Sequence, residues 1–186
     1  MFNLLESLKK NKKRIGFTCG TFDVLHPGHV MMLQESKAHC DHLIVGLLSD
    51  PTISRPTTKN KPVQSMWERF VQLQAINVVD WIFPFDTEED IINMLQMIRP
   101  HVRFVGEEYK NFNFTGRQVC TDLGIEIFYN TRTHKYSSTE LRSRDTIKVP
   151  NGEQTKQATR KYGKFFPCVG CVKDCKTAEE CLLYGL

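Results

Sequence analysis

The stretch Ile15-Gly16-Phe17-Thr18-Cys19-Gly20-Thr21-Phe22-Asp23-Val24-Leu25-His26-Pro27-Gly28-His29 decides the fold. Its first five residues form a short, mostly apolar run that Gly20 ends, which predicts a strand followed by a glycine turn. From Gly28 to about His39 the spacing of Val30, Met31, Leu33 and Ala38 predicts a helix. The next run, Leu43-Ile44-Val45-Gly46-Leu47-Leu48, is continuously apolar, as a strand covered on both faces must be. Strand, turn, helix, strand is the opening of a parallel sheet.

The same alternation continues outward. Residues 49–62 hold three prolines among Ser, Thr and Lys and read as a loop. A helix is predicted from Met66 through Ala75, with Met66, Phe70, Leu73 and Ile76 on its apolar side. A strand follows at Trp81–Phe83. Thr87 caps a helix bearing Ile91, Ile92, Leu95 and Ile98, because Asp90 stands three residues after the cap. Pro100 stops it. Strands at Val102–Val105 and Ile125–Tyr129 enclose a short helix at Gly116–Leu123, and Ser138 opens a last helix through Arg144. The expected fold is α/β and Rossmann-like: a doubly wound, mostly parallel sheet with helices on both faces. Right-handed crossovers then put every strand-to-helix turn at one sheet edge, where ligands bind.

Composition agrees. The 186 residues are 40% hydrophobic and 25% charged, which excludes a disordered, collagen-like or coiled-coil chain. No apolar run approaches the ~18 residues of a spanning helix. The start does not read as a signal peptide, so a cytoplasmic setting is expected. A net charge of +4 suits phosphorylated small molecules and is too weak to argue for nucleic acid. The basic run Lys9–Arg14 reads as the solvated end of an N-terminal helix or arm over residues 1–13.

The first turn carries the chemistry. His26 and His29 stand three residues apart where a strand hands over to a helix. There the unpaired N–H groups and the helix dipole favour an anion. Gly20 and Gly28 let backbone approach a bulky ligand. Two imidazoles beside that site can donate hydrogen bonds to phosphate oxygens as charge grows in a transition state. The alternatives are zinc, which finds no third or fourth ligand in the turn, and a purely structural pair.

These residues, GTFDVLHPGH, resemble the H-x-G-H signature of the cytidylyltransferase-like nucleotidyltransferases. That superfamily includes glycerol-3-phosphate and ethanolamine-phosphate cytidylyltransferases and a heptose-phosphate adenylyltransferase domain. Arg132-Thr133-His134-Lys135-Tyr136-Ser137-Ser138-Thr139 resembles its R-T-E-G-I-S-T-T element, with His134, Lys135 and Tyr136 in place of Glu, Gly and Ile. Trp67-Glu68-Arg69 followed by residues 78–84 resembles E-x-R…Y-V-D-E-V-I-P, and Phe104–Tyr109 resembles F-V-x-G-D-D-W. The likeness covers about residues 14–146.

The resemblance implies transfer of a nucleoside monophosphate from a triphosphate to a phosphate monoester, with release of pyrophosphate. It implies His26, His29 and Arg142 as catalytic. Gly20, Thr21, Phe22, Gly28, Arg132, Ser137, Ser138 and Thr139 are implied around the nucleotide, and Lys59, Lys61, Arg69 and Glu107 around the acceptor. Mg²⁺ is implied, held largely by the phosphates, as is a homodimer through the later segment. The Arg132–Thr139 element favours CTP, and the resemblance implies a small phosphate monoester like glycerol 3-phosphate as acceptor. The loop SDPTISRPTTKNKPV and Phe114-Thr115-Gly116 also resemble ATP-using heptose-phosphate enzymes. A non-catalytic nucleotide-binding module is the reading from another class; it would be favoured had either histidine been missing.

Residues 147–186 are expected to be a linker and a Cys-rich extension. Cys168, Cys171, Cys175 and Cys181 have the spacing C-x2-C-x3-C-x5-C, compact enough for Zn²⁺ or an iron–sulfur cluster, or else free or disulfide-linked thiols. Cys19, Cys40 and Cys120 read as reduced, buried thiols.

Overall fold

The computed structural model describes residues 2–132 and 134–144. The linker and the four clustered cysteines lie outside the described residues, as does Thr133. Helix α1 (Phe2–Lys10) leads into β1 (Ile15–Gly20), α2 (Pro27–Ala38) and β2 (His42–Leu48). Then come α3 (Pro51–Ser54), α4 (Met66–Gln74), β3 (Trp81–Phe85), α5 (Glu88–Ile98) and β4 (Val102–Gly106). A 3-10 turn (Glu107–Tyr109), α6 (Arg117–Asp122), β5 (Glu126–Asn130) and α7 (Ser138–Arg144) complete the order. The five strands pair in the order β3-β2-β1-β4-β5, every pair parallel.

Alternation along β2 shows why its sequence is apolar throughout. Ile44 and Leu48 join one buried cluster with Phe17, Leu95 and Ile98. Leu43, Val45 and Leu47 join the other with Leu33, Leu73 and Val102. Successive side chains point to opposite faces, so a strand covered twice has no solvent side to fill with polar residues. Helix α1 belongs to the first face, since Leu5 is buried there with Leu8 packed beside it. Thr87 and Asp90 form a reciprocal capping box that starts α5, and Ile91, Met94, Leu95 and Ile98 are its buried face.

Two expectations change. Residues 49–62 are not all loop: Asp50 caps α3, its carboxylate accepting from Thr52 N at 2.8 Å and Thr52 Oγ1 at 2.6 Å, with Pro51 as the first helical residue. In α2 the inward residues are Gly28, Leu33 and Ser36, while Met31 is exposed.

Strand order reverses between β1 and β4, and there the sheet opens. These strands pair only at Gly16–Val102 and Phe17–Arg103. Beyond that register one side-chain bond, from Thr18 Oγ1 to Phe104 O at 3.3 Å, still links them. The crevice outside the carboxyl ends at such a switch point is where open α/β sheets bind ligands.

Candidate active site

A cleft of about 860 Å³ fills that opening and reaches from the end of β1 to the starts of α5 and α6. Of the residues singled out from sequence, Gly20, Thr21, Phe22, His29 and Lys59 line it. His26 does not. Its ring stacks on His29, centroids 3.8 Å apart and planes at 19°, and borders a neighbouring shallow apolar pocket. The turn before them is tightly wound, with φ of 51° at Phe22 and 50° at Val24, both in the left-handed region. Phe22 lies buried with its ring 5.3 Å from that of His29.

Burial favours the neutral form of both imidazoles. Burial, helped by the adjacent His26, pushes His29 down from its ordinary value of 6.5 to about 4. Burial also lowers His26, followed by His134 and Arg132. A neutral ring offers one N–H and one lone pair, and Nδ1 of each ring is buried without a partner. Each ring thus keeps a nitrogen that no protein group satisfies.

Stability must respond to this. Between pH 6.5 and about 4 an unfolded His29 takes up a proton that the folded site resists, so acidification through that window favours unfolding. The contribution is whole above pH 6.5 and drains as the pH falls toward 4, on the order of 3 kcal/mol. Ligand-free thermal unfolding is expected to show a shallower acid loss for His29→Asn than for the parent chain. Parallel pH profiles would refute it.

Asp23 organises the turn. Its carboxylate accepts from the backbone N of Val63 and Gln64, both at 3.0 Å, and pairs with Arg142. Burial alone would raise its pKa, but the two amides and the guanidinium outweigh that and hold it below the ordinary value. Ser138 Oγ donates to Asp23 O at 2.7 Å, and Ser137 Oγ accepts from Glu140 N at 3.1 Å. Ser138 therefore joins α7 to the first turn, while Ser137 caps α7 itself. Arg142 stands at the same junction, outside the cleft lining. Arg132 donates its backbone N to Glu107 Oε1 at 2.8 Å, so Glu107 tethers the exit of β5 and is not a cleft residue. Thr139 and Lys61 are exposed and also lie off the cleft.

Arg69 corrects an expectation. Expected to face substrate, it is 1% exposed and surrounded by backbone. Its guanidinium donates to Thr21 O at 2.7 Å, Leu48 O at 2.6 Å, Ser49 O at 2.5 Å and Gln64 O at 3.2 Å. One side chain ties the ends of β1 and β2 to the approach of α4. It positions the turn.

Arg55 and Arg103 also line the cleft and were not singled out from sequence. Arg103 donates to Thr115 O at 2.7 Å, and its charge sits 5.1 Å from the Phe114 ring. The signal for it was a lone arginine inside the apolar strand Val102–Val105; Arg55 sits in a proline-rich loop with nothing to mark it. Glu88 pairs with Arg55 at 3.5 Å, so the floor carries both signs.

Among the described residues no group of three or more His, Cys, Asp or Glu is arranged to hold a metal ion. Asp23 is already committed to Arg142 and two amides. The described residues do not build a cage for Mg²⁺. No helix among them is long and apolar enough to cross a membrane.

Comparison with known proteins fits this geometry. A family profile described as cytidylyltransferase-like matches residues 17–144. Bifunctional protein HldE of Nitrobacter hamburgensis is 35% identical over 137 residues, covering 74% of this chain and 28% of that protein. HldE of a Bradyrhizobium strain is 38% identical over 128 residues, 69% of this chain and 26% of that protein. The chain thus spans less than a third of these relatives. The crystal structure of a lipopolysaccharide core biosynthesis protein from Thermoplasma volcanium superposes with a TM-score of 0.52 at 27% identity, covering 67% of this chain and 99% of that one. A pantothenate synthetase from Thermus thermophilus, at 15% identity, 86% of this chain, 74% of that one and a TM-score of 0.53, shares the fold. With the profile spanning the sheet, the paired histidines and the switch-point cleft together, the chain belongs to the cytidylyltransferase-like family as a nucleotidyltransferase domain.

Proposed function

We propose that this domain transfers an adenylyl group from ATP to the phosphate of a sugar phosphate, releasing pyrophosphate. The observation that carries the reading is the stacked pair of imidazoles at the start of α2, beside a cleft lined by Arg55, Lys59 and Arg103. The acceptor phosphate is already anionic, so no general base is needed. One of its oxygens bonds to the α-phosphorus as the bond to the bridging oxygen of the β-phosphate breaks, and pyrophosphate leaves with that electron pair. What the protein contributes is alignment and neutralisation of the charge on the phosphoryl oxygens. His26 and His29 donate N–H groups to oxygens around the α-phosphorus, with Gly28 leaving room for them. The α7 start, locked to Asp23, carries Arg142 toward the outer phosphates. Lys59 and Lys61 approach from the loop after α3. Mg²⁺, bound by the triphosphate itself, would add charge neutralisation.

ATP is favoured by the likeness of residues 49–63 and Phe114-Thr115-Gly116 to ATP-using heptose-phosphate enzymes. Similarity to the HldE proteins and to a lipopolysaccharide core biosynthesis protein points to sugar chemistry as well. CTP with an acceptor like glycerol 3-phosphate is the second reading, supported by the Arg132–Thr139 element. The homodimer belongs to the same proposal, with β3 at the open sheet edge as its contact.

Pyrophosphate release measured with ATP and CTP against sugar 1-phosphates, glycerol 3-phosphate and ethanolamine phosphate tests the choice. ATP with a sugar phosphate is expected to exceed every other pair by roughly tenfold or more, the scale of one to two kcal/mol in transition-state binding. A maximum with CTP and glycerol 3-phosphate selects the second reading, and silence with all pairs refutes both.

A further inference from the structure

The geometry points to His134 as a third imidazole of the phosphate platform, a side chain that touches the triphosphate rather than a spacer in the loop before α7. This rests on the nucleotidyltransferase reading above and adds a binding residue to it.

A methyl group placed on Gly28 would meet Cε1 of His134 at 2.5 Å and Cε1 and Nδ1 of His26 at 3.0 Å. Both rings therefore press on the bare Cα of Gly28, at the amino end of α2, and His29 stacks behind His26. His134 is half-buried, its ring 5.3 Å from that of Tyr136. The loop is braced on either side: Arg132 N bonds Glu107, and the Arg132 guanidinium donates to Tyr136 O at 3.4 Å.

The three rings share one deficiency. Nδ1 of His26, His29 and His134 is buried with no hydrogen-bond partner. Buried polar atoms in folded proteins nearly always have one. Three such nitrogens around one helix start call for a common ligand. A metal ion is disfavoured, because no group of three His, Cys, Asp or Glu among the described residues converges on a point. An anion with several acceptor oxygens needs no such convergence: each ring can turn its N–H to a different oxygen, and the helix start favours negative charge. The resembled element has Glu where this chain has His134. An imidazole at this position brings an N–H donor that a carboxylate lacks.

Calorimetric titration of the full chain with ATP and with CTP, comparing His134→Ala, His134→Gln and His134→Glu, tests this. Loss of one donor to a charged acceptor is expected to weaken triphosphate binding about tenfold in the Ala variant. Gln keeps an N–H donor and should stay within about threefold of the parent, while Glu, which has no donor, should lose about tenfold or more. A ring that merely packs on Gly28 would make Gln and Glu equally poor. Equal losses for those two, or an Ala variant within twofold of the parent, would overturn the role of His134 and leave the nucleotidyltransferase reading intact. Failure of the parent chain to bind either triphosphate would overturn both.

Discussion

Replacing His26 or His29 with alanine is expected to lower turnover by at least ~10²-fold while the protein stays folded, the scale of losing one preorganised transition-state donor. The loss should appear mainly in kcat, because the imidazole bonds strengthen as charge gathers on the oxygens of five-coordinate phosphorus. Stacking at 3.8 Å makes the pair a unit: removing one ring leaves the other without its wall. The double variant should therefore be little worse than the poorer single one, a shortfall from additivity that independent donors would not show. Steady-state pyrophosphate release under saturating triphosphate measures all three. Near-normal turnover in either single variant would dismiss the mechanism.

The second large effect is on folding. Arg69→Leu is expected to cost about 3–5 kcal/mol, the range for stripping a buried charge network of one partner. Its four carbonyl acceptors, on Thr21, Leu48, Ser49 and Gln64, would be left in a space that water does not reach freely. For a domain of this size that loss lowers the melting temperature by roughly 10 °C or more. Arg69→Lys should recover only part of it, since one ammonium cannot span acceptors that a planar fork reaches. Thermal unfolding without ligand separates this from a substrate contact. A substrate-facing arginine would leave the ligand-free melting temperature within a degree or two and change KM instead.

Much of the scaffold was legible because its signals are local. The run Leu43–Leu48 announced a strand buried on both faces, and the pairing of Thr87 with Asp90 announced the start of α5 through a box of reciprocal hydrogen bonds. Helix α3 was not legible, since three prolines masked the Asp50-Pro51-Thr52 cap that starts it. In the site, the histidine pair stood out through its place between a strand and a helix. The role of Arg69 did not. A guanidinium on a helix can face a phosphate or a ring of carbonyls, and only the meeting of β1, β2 and α4 in space decides between them. His134 was visible only as a departure from a motif; its closeness to Gly28 arises from contacts more than a hundred residues apart.

That separation has a consequence for how the protein comes into being. Asp23, near the start of the chain, is clasped by Ser138 and Arg142 from near the end of the described domain. On the ribosome the glycine turn and its histidines emerge early and wait until all five strands have passed and α7 follows. A chain that stops short of Ser138 therefore leaves Asp23 without two of its partners, so the first turn is completed only when synthesis of the domain is nearly done.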